Sequence, residues 1–441
     1  MTAAEFRILL RKMRRRKIWS CVYPAHPCAH NNIFTPIYHI LDYNTLLLNI
    51  TIGVILQSSL MNGKLTFSNS SLESINGIDY LRLREESHYK TGLAAGNLFV
   101  KSNYKIIRLL KNPFVNIILR FLRLKYEKKI PEVRIPKEYQ DELRGCSEAT
   151  KIPYKYLLLI NLIDEIRGCS GFAFFNPDGS LLLGHNTDVS KMLAKLALRY
   201  MKPLVTDVSI PGKNNFVHVA MPLILGAING FNDKGIAVSS HDAGGIYAKV
   251  VKNNTSTSCL VKMVLENAES LADVQKIAQE NLAYYPGIMI VASARERKAS
   301  ILEAYPSDFD FVSFKNTSYI FSANHYQSDK MRKYHREVKG GSLDRLTCLQ
   351  GSLSGKNILS VQEAIQILKD HRNGIQRDTT GYSIANIGTF QSFIFDVTRS
   401  EVYISNGKKL PVPLHGDYVK ISAFYERYFY KNRQKFKTNQ N

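Results

Sequence analysis

At 441 residues, 45% hydrophobic and 22% charged, the chain has a globular composition, which excludes the disordered and fibrous classes. A formal net charge of +22 with a pI near 9.6 reads either as a solvated charged face or as a match for an anionic partner: membrane surface, nucleic acid or acidic substrate. The charge comes without zinc-finger spacing or a ribonucleoprotein-type aromatic signature, so nucleic acid is not expected. Six scattered cysteines exclude a disulfide scaffold and a paired-cysteine zinc site.

Residues 1–76 read as an extension. Arg7 to Lys17 places seven basic residues in eleven. An apolar stretch, Leu46 to Leu60, follows, interrupted by Asn49, Thr51, Gln57, Ser58 and Ser59. It is shorter than the roughly 20 apolar residues of a spanning helix, although the basic flank before it fits an inserted segment. Read as a signal anchor, it places the protein at a membrane or outside the cytoplasm; read as a core or interfacial helix, it leaves the protein cytoplasmic. Asn62 to Ser74 is polar, and compact structure is expected from Gly77.

From there, Ile78 to Arg84 alternates as a strand and His88 to Val100 reads as a helix. Tyr104 to Tyr126 is a basic, apolar-striped helix interrupted near Pro113, fit to pack on a core or to lie on a membrane. Lys101 to Lys137 carries eleven basic residues. Lys137 to Thr150 and Tyr154 to Ile166 are two more helical runs, and residues 77–168 together form a helical segment ahead of a change in texture at Cys169. Ser170 to Phe175 and Ser180 to Leu183 flank the turn Asn176-Pro177-Asp178-Gly179 as a hairpin.

Strand patterns continue over Phe216 to Pro222, Ala227 to Phe231 and Gly235 to Ser240. Two helices, Ser258 to Glu269 and Ser270 to Asn281, precede strands at Ile288 to Ala294, Lys298 to Ala304 and Phe309 to Phe314. Ser360 to Arg372 is helical, and Phe390 to Asp396 with Glu401 to Ser405 forms a last hairpin. Strands in hairpin pairs with blocks of helix between them predict an α+β fold of antiparallel sheets covered by helices, not a parallel βαβ array.

The chemistry concentrates at Arg167-Gly168-Cys169-Ser170-Gly171 and the hairpin that follows, ending Gly184-His185-Asn186-Thr187-Asp188. If the bond before Cys169 breaks, the residue gains an α-amine whose ordinary pKa is about 7.7–8.0. Nucleophile and general base then sit on one residue. Gly168 leaves room for the backbone geometry that an N-to-S shift requires, and the hairpin returns His185 and Asp188 beside Cys169. The alternative for Cys169 is an inert core thiol. Arg144-Gly145-Cys146-Ser147 repeats the same residues in a helical run without hairpin or aspartate, which separates the two cysteines.

This constellation resembles the acyl-CoA:6-aminopenicillanate acyltransferase-like (isopenicillin N acyltransferase-like) family of N-terminal-nucleophile hydrolases, relatives of the choloylglycine hydrolases. That family opens its mature chain with Cys, a strand, an Asp-Gly turn, a second strand and Gly-Arg-Asn-x-Asp. Here the Cys-to-Asp distance is nineteen positions, and His185 stands in place of the Arg. Gly230-Phe231-Asn232-Asp233-Lys234-Gly235-Ile236-Ala237, Ala323-Asn324-His325-Tyr326, Ser342-Leu343-Asp344-Arg345 and Gly388-Thr389-Phe390-Gln391-Ser392 resemble later landmarks in the family's order.

The resemblance implies a four-layer αββα sandwich of two antiparallel sheets with an N-terminal extension, residues 77–168 as pro-segment and 169–441 as catalytic domain. It implies cleavage between Gly168 and Cys169, Cys169 as nucleophile and base, Asp188 orienting the amine, Asn324 as oxyanion donor and Arg345 balancing charge. His185, Asn232 and His241 are expected to line the substrate pocket. The expected activity is hydrolysis or acyl transfer on the linear amide of a small N-acyl substrate through a thioester, without cofactor or metal. An anionic membrane surface and a second copy of the chain are the further partners considered. The competing reading is a catalytically inactive hydrolase-fold protein that binds anionic membranes.

Overall fold

A computed structural model describes residues 64–113, 115, 133–162, 168–243, 251–313, 318–335, 338, 341–372 and 382–424. The chain divides into residues 1–61 and 62–441, and everything described belongs to the second unit. The apolar stretch Leu46 to Leu60 therefore lies outside the described residues. Among the described residues, no helix is long and apolar enough to cross a membrane.

Three strands open the fold: β1 (Leu65–Phe67), β2 (Ser70–Ile75) and β3 (Ile78–Arg84). Helices α1 (His88–Lys101) and α2 (Lys105–Leu110), a short β4 (Val133–Arg134), and helices α3 (Lys137–Thr150) and α4 (Tyr154–Asn161) lead to the nucleophile hairpin, β5 (Ser170–Phe175) and β6 (Leu181–Asp188). Next come α5 (Lys191–Tyr200), β7 (Leu204–Ser209), β8 (Phe216–Ala220), β9 (Asn229–Asn232), β10 (Ile236–Asp242) and β11 (Asn254–Thr255). After these lie α6 (Thr257–Asn267), α7 (Leu271–Glu280), β12 (Gly287–Ser293), β13 (Lys298–Tyr305), β14 (Asp308–Ser313) and β15 (Tyr319–Ser322). The chain continues through α8 (Asp329–Arg332), α9 (Ser342–Leu353), α10 (Val361–Leu368), β16 (Thr389–Asp396), β17 (Glu401–Ser405) and β18 (Tyr418–Ser422).

Local chemistry sets these limits. α7 and α10 start with reciprocal capping boxes, Ser270 with Asp273 and Ser360 with Glu363, which satisfy amide donors that a helix leaves open. The β5–β6 turn closes where the Asp178 carboxylate accepts from the Ser180 N–H at 2.9 Å and Gly179 takes φ +89°, a value costly for a residue with a Cβ.

A ten-stranded sheet runs β1-β2-β3-β7-β8-β9-β10-β12-β13-β14, and a six-stranded one β15-β5-β6-β16-β17-β18. Strand alternation sorts their side chains into three layers. Ala173, Phe175, Leu181 and Leu183 of the smaller sheet meet Val217, Val219, Ile288 and Ile290 of the larger one between the sheets. Phe172, Phe174 and Leu182 face the other way, against Leu349 and Leu353 of α9 and Ile365 and Leu368 of α10. The outer face of the large sheet, through Leu81, Leu83, Val238 and Met289, buries against α1, α3, α4, α6 and α7. This is the expected αββα order.

Three expectations need correction. The sheet begins at Leu65, not Gly77: β1 and β2 pair antiparallel in front of β3. The polar start of β2 hid this, because Ser70 is buried by donating to the Glu85 carboxylate at 2.7 Å. The large sheet is antiparallel except where β3 runs parallel to β7. β7 itself, like α5, β15, α9 and β18, has no counterpart among the expected elements. The helix expected over Tyr104 to Tyr126 is seen as Lys105–Leu110, and its later part lies mostly outside the described residues.

Candidate active site

β5 and β6 pair in a register that sets Ser170 opposite Asn186 and Gly171 opposite His185. β16 lies on the other side of β6, with Thr389 opposite Asp188. Cys169 thus stands at the free end of β5, beside the end of β6, and is 1% exposed. Gly168 before it has φ +102°, a conformation that a residue with a Cβ rarely adopts.

Arg345, projecting from the first turn of α9, joins the predicted residues. Its Nη1 donates to the carbonyl oxygens of both Gly168 and Cys169 at 2.5 Å. Nη2 donates to Asn324 Oδ1 at 2.8 Å, and Nη1 lies 3.9 Å from Asp188 Oδ2. The guanidinium is 1% exposed, so its charge needs that carboxylate and those acceptors to offset the loss of water. Asn324 is fixed in turn: its Nδ2 donates to the Asp242 carbonyl at 2.6 Å and its N–H to Ser342 Oγ at 2.8 Å.

Asp188 accepts from Thr389 Oγ1 at 2.6 Å and from Asn386 Nδ2 at 2.7 Å. Burial nevertheless raises its pKa to about 7, against the pull of Arg345, Thr389 and Asn386. Burial, reinforced by the Asp188 charge, pushes the Cys169 thiol up to about 12, while a backbone hydrogen bond from Asp188 and the Arg345 charge act the other way. The thiol is therefore protonated at neutral pH, with a carboxylate poised near neutrality next to it.

His185 points from β6 into the layer between the sheets. Its Nδ1 lies 2.5 Å from Ser239 Oγ, its ring stacks on Phe393, and its Nε2 has no hydrogen-bond partner. His241 Nε2 lies 3.4 Å from the same Ser239 Oγ and 3.2 Å from Ser322 Oγ. The His241 ring covers Gly171 so closely that a Cβ there would come within 3.2 Å of it. Burial holds both imidazoles neutral, His241 at about 3 and His185 well below its ordinary value. The position where the related family carries an arginine thus holds an uncharged side chain, and the cation at this site is Arg345.

Asn232 is not brought into this set. Its Nδ2 donates to the carbonyls of Leu265 and Ala268, and its Oδ1 accepts from the N–H groups of Lys234 and Ile236. It ties the β9–β10 turn to α6 and has no capacity left for a ligand. The residues that sequence reasoning left without a role are Asn386 and Thr389, which hold Asp188, and Ser239 and Ser322, which hold the histidines. Thr389 carried a signal, since it lies in the Gly388-to-Ser392 motif; Asn386 carried none. Cys146, the sequence decoy, is a buried thiol on α3.

The model of the family described as acyl-coenzyme A:6-aminopenicillanic acid acyl-transferase matches residues 174–410, more than half of the chain. The match spans His185, Asp188, Asn324 and Arg345 and begins after Cys169. Among curated protein sequences none matches the chain. Similar solved structures include a Caenorhabditis elegans ortholog of N-acylethanolamine-hydrolyzing acid amidase, at 13% identity and TM-score 0.38, covering 52% of this chain and 93% of that one. A variant of the conjugated bile acid hydrolase of Clostridium perfringens is 12% identical, with TM-score 0.40 and coverage of 58% and 92%. Penicillin V acylase of Agrobacterium tumefaciens is 11% identical, with TM-score 0.37 and coverage of 58% and 86%.

Proposed function

Because the chain belongs to the acyl-coenzyme A:6-aminopenicillanic acid acyl-transferase family, we propose that it cuts itself between Gly168 and Cys169 and then works with Cys169 as its N-terminal nucleophile. Membership makes the protein an enzyme of the N-terminal-nucleophile type that hydrolyses an acyl amide or transfers its acyl group. The cysteine, the self-cleavage and the thioester are our additions. The observation that carries them is the Arg345 guanidinium bonded to the Gly168 carbonyl, which belongs to the bond to be cut.

In the uncut chain Asp188, with its pKa near 7, takes the thiol proton. The sulfur attacks the Gly168 carbonyl carbon, and the charge that develops on the oxygen meets the donor already in place. The Gly168–Cys169 C–N bond then breaks. The acyl group stays on sulfur as a thioester, and the electron pair and proton end on the new α-amine. Water hydrolyses the thioester, leaving a Gly168 carboxylate and a free Cys169 thiol.

In the mature enzyme that amine accepts the thiol proton, its ordinary pKa of about 7.7–8.0 suiting it to neutral pH. The thiolate attacks the amide carbonyl of an N-acyl substrate. The departing amine carries the proton away, and water or a second amine receives the acyl group. Asp188, Arg345 and Asn324 surround the new terminus and orient it, with Asn324 and Arg345 as donors to the developing oxyanion. Intact mass of wild type beside Cys169→Ala tests the reading. Two fragments meeting at Gly168/Cys169 in wild type and one uncut chain in the variant are expected. One uncut chain in both overturns self-processing.

A further inference from the structure

Helix α5 carries an apolar surface that faces water. Met192, Leu193 and Leu196 are 44%, 45% and 43% exposed; they lie three and four positions apart and so form one stripe. Ala194 alone is fully buried in this helix, packed with Val189 and Phe390. A stripe of three large apolar side chains is unusual on a helix otherwise anchored to a core.

Cations frame the stripe. Lys191, Lys195 and Arg199 are exposed on α5, and Lys105, Arg108 and Lys111 are exposed on and just after α2, which packs beside α5. Neither 101–113 nor 189–202 contains an aspartate or glutamate. Exposed leucines and methionine within a one-signed ring of lysine and arginine make a surface that lies in a headgroup region, its apolar side chains in the acyl boundary and its cations at lipid phosphates. A soluble protein partner would meet the same stripe, but it would have to be acidic over both helices, whereas an anionic bilayer supplies negative charge across the entire patch.

We propose that the α5 face, flanked by α2, docks this protein on anionic lipid bilayers. α5 starts three residues after Asp188, and the Phe390 that packs under it follows Thr389, so docking brings the bilayer to the Cys169 end of the sandwich. An N-acyl amide with a long apolar chain would then enter from the membrane. The docking claim stands apart from the catalytic one, because vesicle binding is read without turnover and on Cys169→Ala as well as on wild type.

The test uses the full chain with a single reporter, Leu193→Trp in a Trp19→Phe background. Vesicles of phosphatidylcholine with phosphatidylserine are compared with phosphatidylcholine alone. A blue shift of tryptophan emission on the anionic vesicles, with quenching by lipids brominated in the acyl chain, is expected. Lys191→Gln and Lys195→Gln, both solvent-exposed, should each weaken partitioning by about fivefold, and Met192→Ser/Leu196→Ser should remove the blue shift while leaving the fold's circular dichroism intact. Emission that is already blue in lipid-free buffer at every protein concentration would mean that the chain's own apolar segment covers the stripe. Emission that turns blue as protein concentration rises would mean that a second copy does. Either result, or no shift with anionic vesicles, overturns the proposal.

Discussion

Asp188 and Arg345 make the sharpest demands on a single side chain. If Asp188 takes the Cys169 proton, self-cleavage follows its ionised fraction. The rate should then rise about tenfold per pH unit well below pH 7 and level off above it, as read by intact mass against time from pH 5 to 9. Asp188→Asn should stay uncut throughout. Asn386 favours the ionised form by donating to it, so Asn386→Ala should move the midpoint of that profile to higher pH. A residue that only supported the fold would lower the rate and leave the midpoint in place. Arg345→Lys keeps a charge but loses the planar fork that reaches the Gly168 and Cys169 carbonyls and Asn324 together. A fall of about 10²–10³ in the self-cleavage rate is expected, the size seen when one oxyanion donor is removed. The sequence made Asp188 legible through the hairpin that returns it beside Cys169, but Arg345 only through motif order, for nothing in Ser342-Leu343-Asp344-Arg345 says that the arginine will be buried.

At the scale of elements, hairpins were legible and helix contacts were not. β5 and β6 announced themselves because Asn-Pro-Asp-Gly separates two apolar runs. β7 did not, because its Asp207 is buried as an acceptor for the Tyr80 hydroxyl at 2.8 Å and as the partner of Arg84, a long-range use of charge that local alternation cannot show. The Gly-Cys repeat on α3 has its own reason. A Cβ on Gly145 would lie 2.1 Å from the Tyr89 carbonyl oxygen, and one on Gly92 would lie 1.8 Å from that of Glu142. α1 and α3 therefore meet backbone to backbone, and the pair buries the Lys262–Glu142 ion pair and the His88–Glu266 hydrogen bond against α6. Gly145→Ala must push the helices apart at a cost of about 1–3 kcal/mol, read as a lower urea midpoint. Cys146→Ala, one residue on, should leave self-cleavage unchanged, which separates the decoy from Cys169.

Across the molecule, buried imidazoles set how stability answers to acid. His218 and His241 are held at about 3 and His325 at about 4 by burial, and His185 is lowered in the same way. An unfolded chain titrates these groups near 6.5. Between those values the unfolded state binds more protons, so the contribution of each histidine is fully present above about pH 6.5 and is lost as pH falls. Asp188 runs the other way: its folded pKa of about 7 exceeds its unfolded one, so its contribution weakens as pH rises toward 7. Burial raises Glu142 and Glu303 in the same sense as Asp188, so a bulk pH scan mixes opposing groups, and a single-site difference is the cleaner measurement. His218 sits on β8 with its Nδ1 unpartnered, apart from the residues around Cys169. In His218→Gln the slope of unfolding free energy against pH should fall by about 1.4 kcal/mol per unit between pH 4 and 6. Urea titrations of wild type and variant at pH 4.5, 5.5 and 7 measure it. Parallel curves would mean that His218 charges inside the folded sandwich, and the burial that holds His185 and His241 neutral between the sheets would then need the same test.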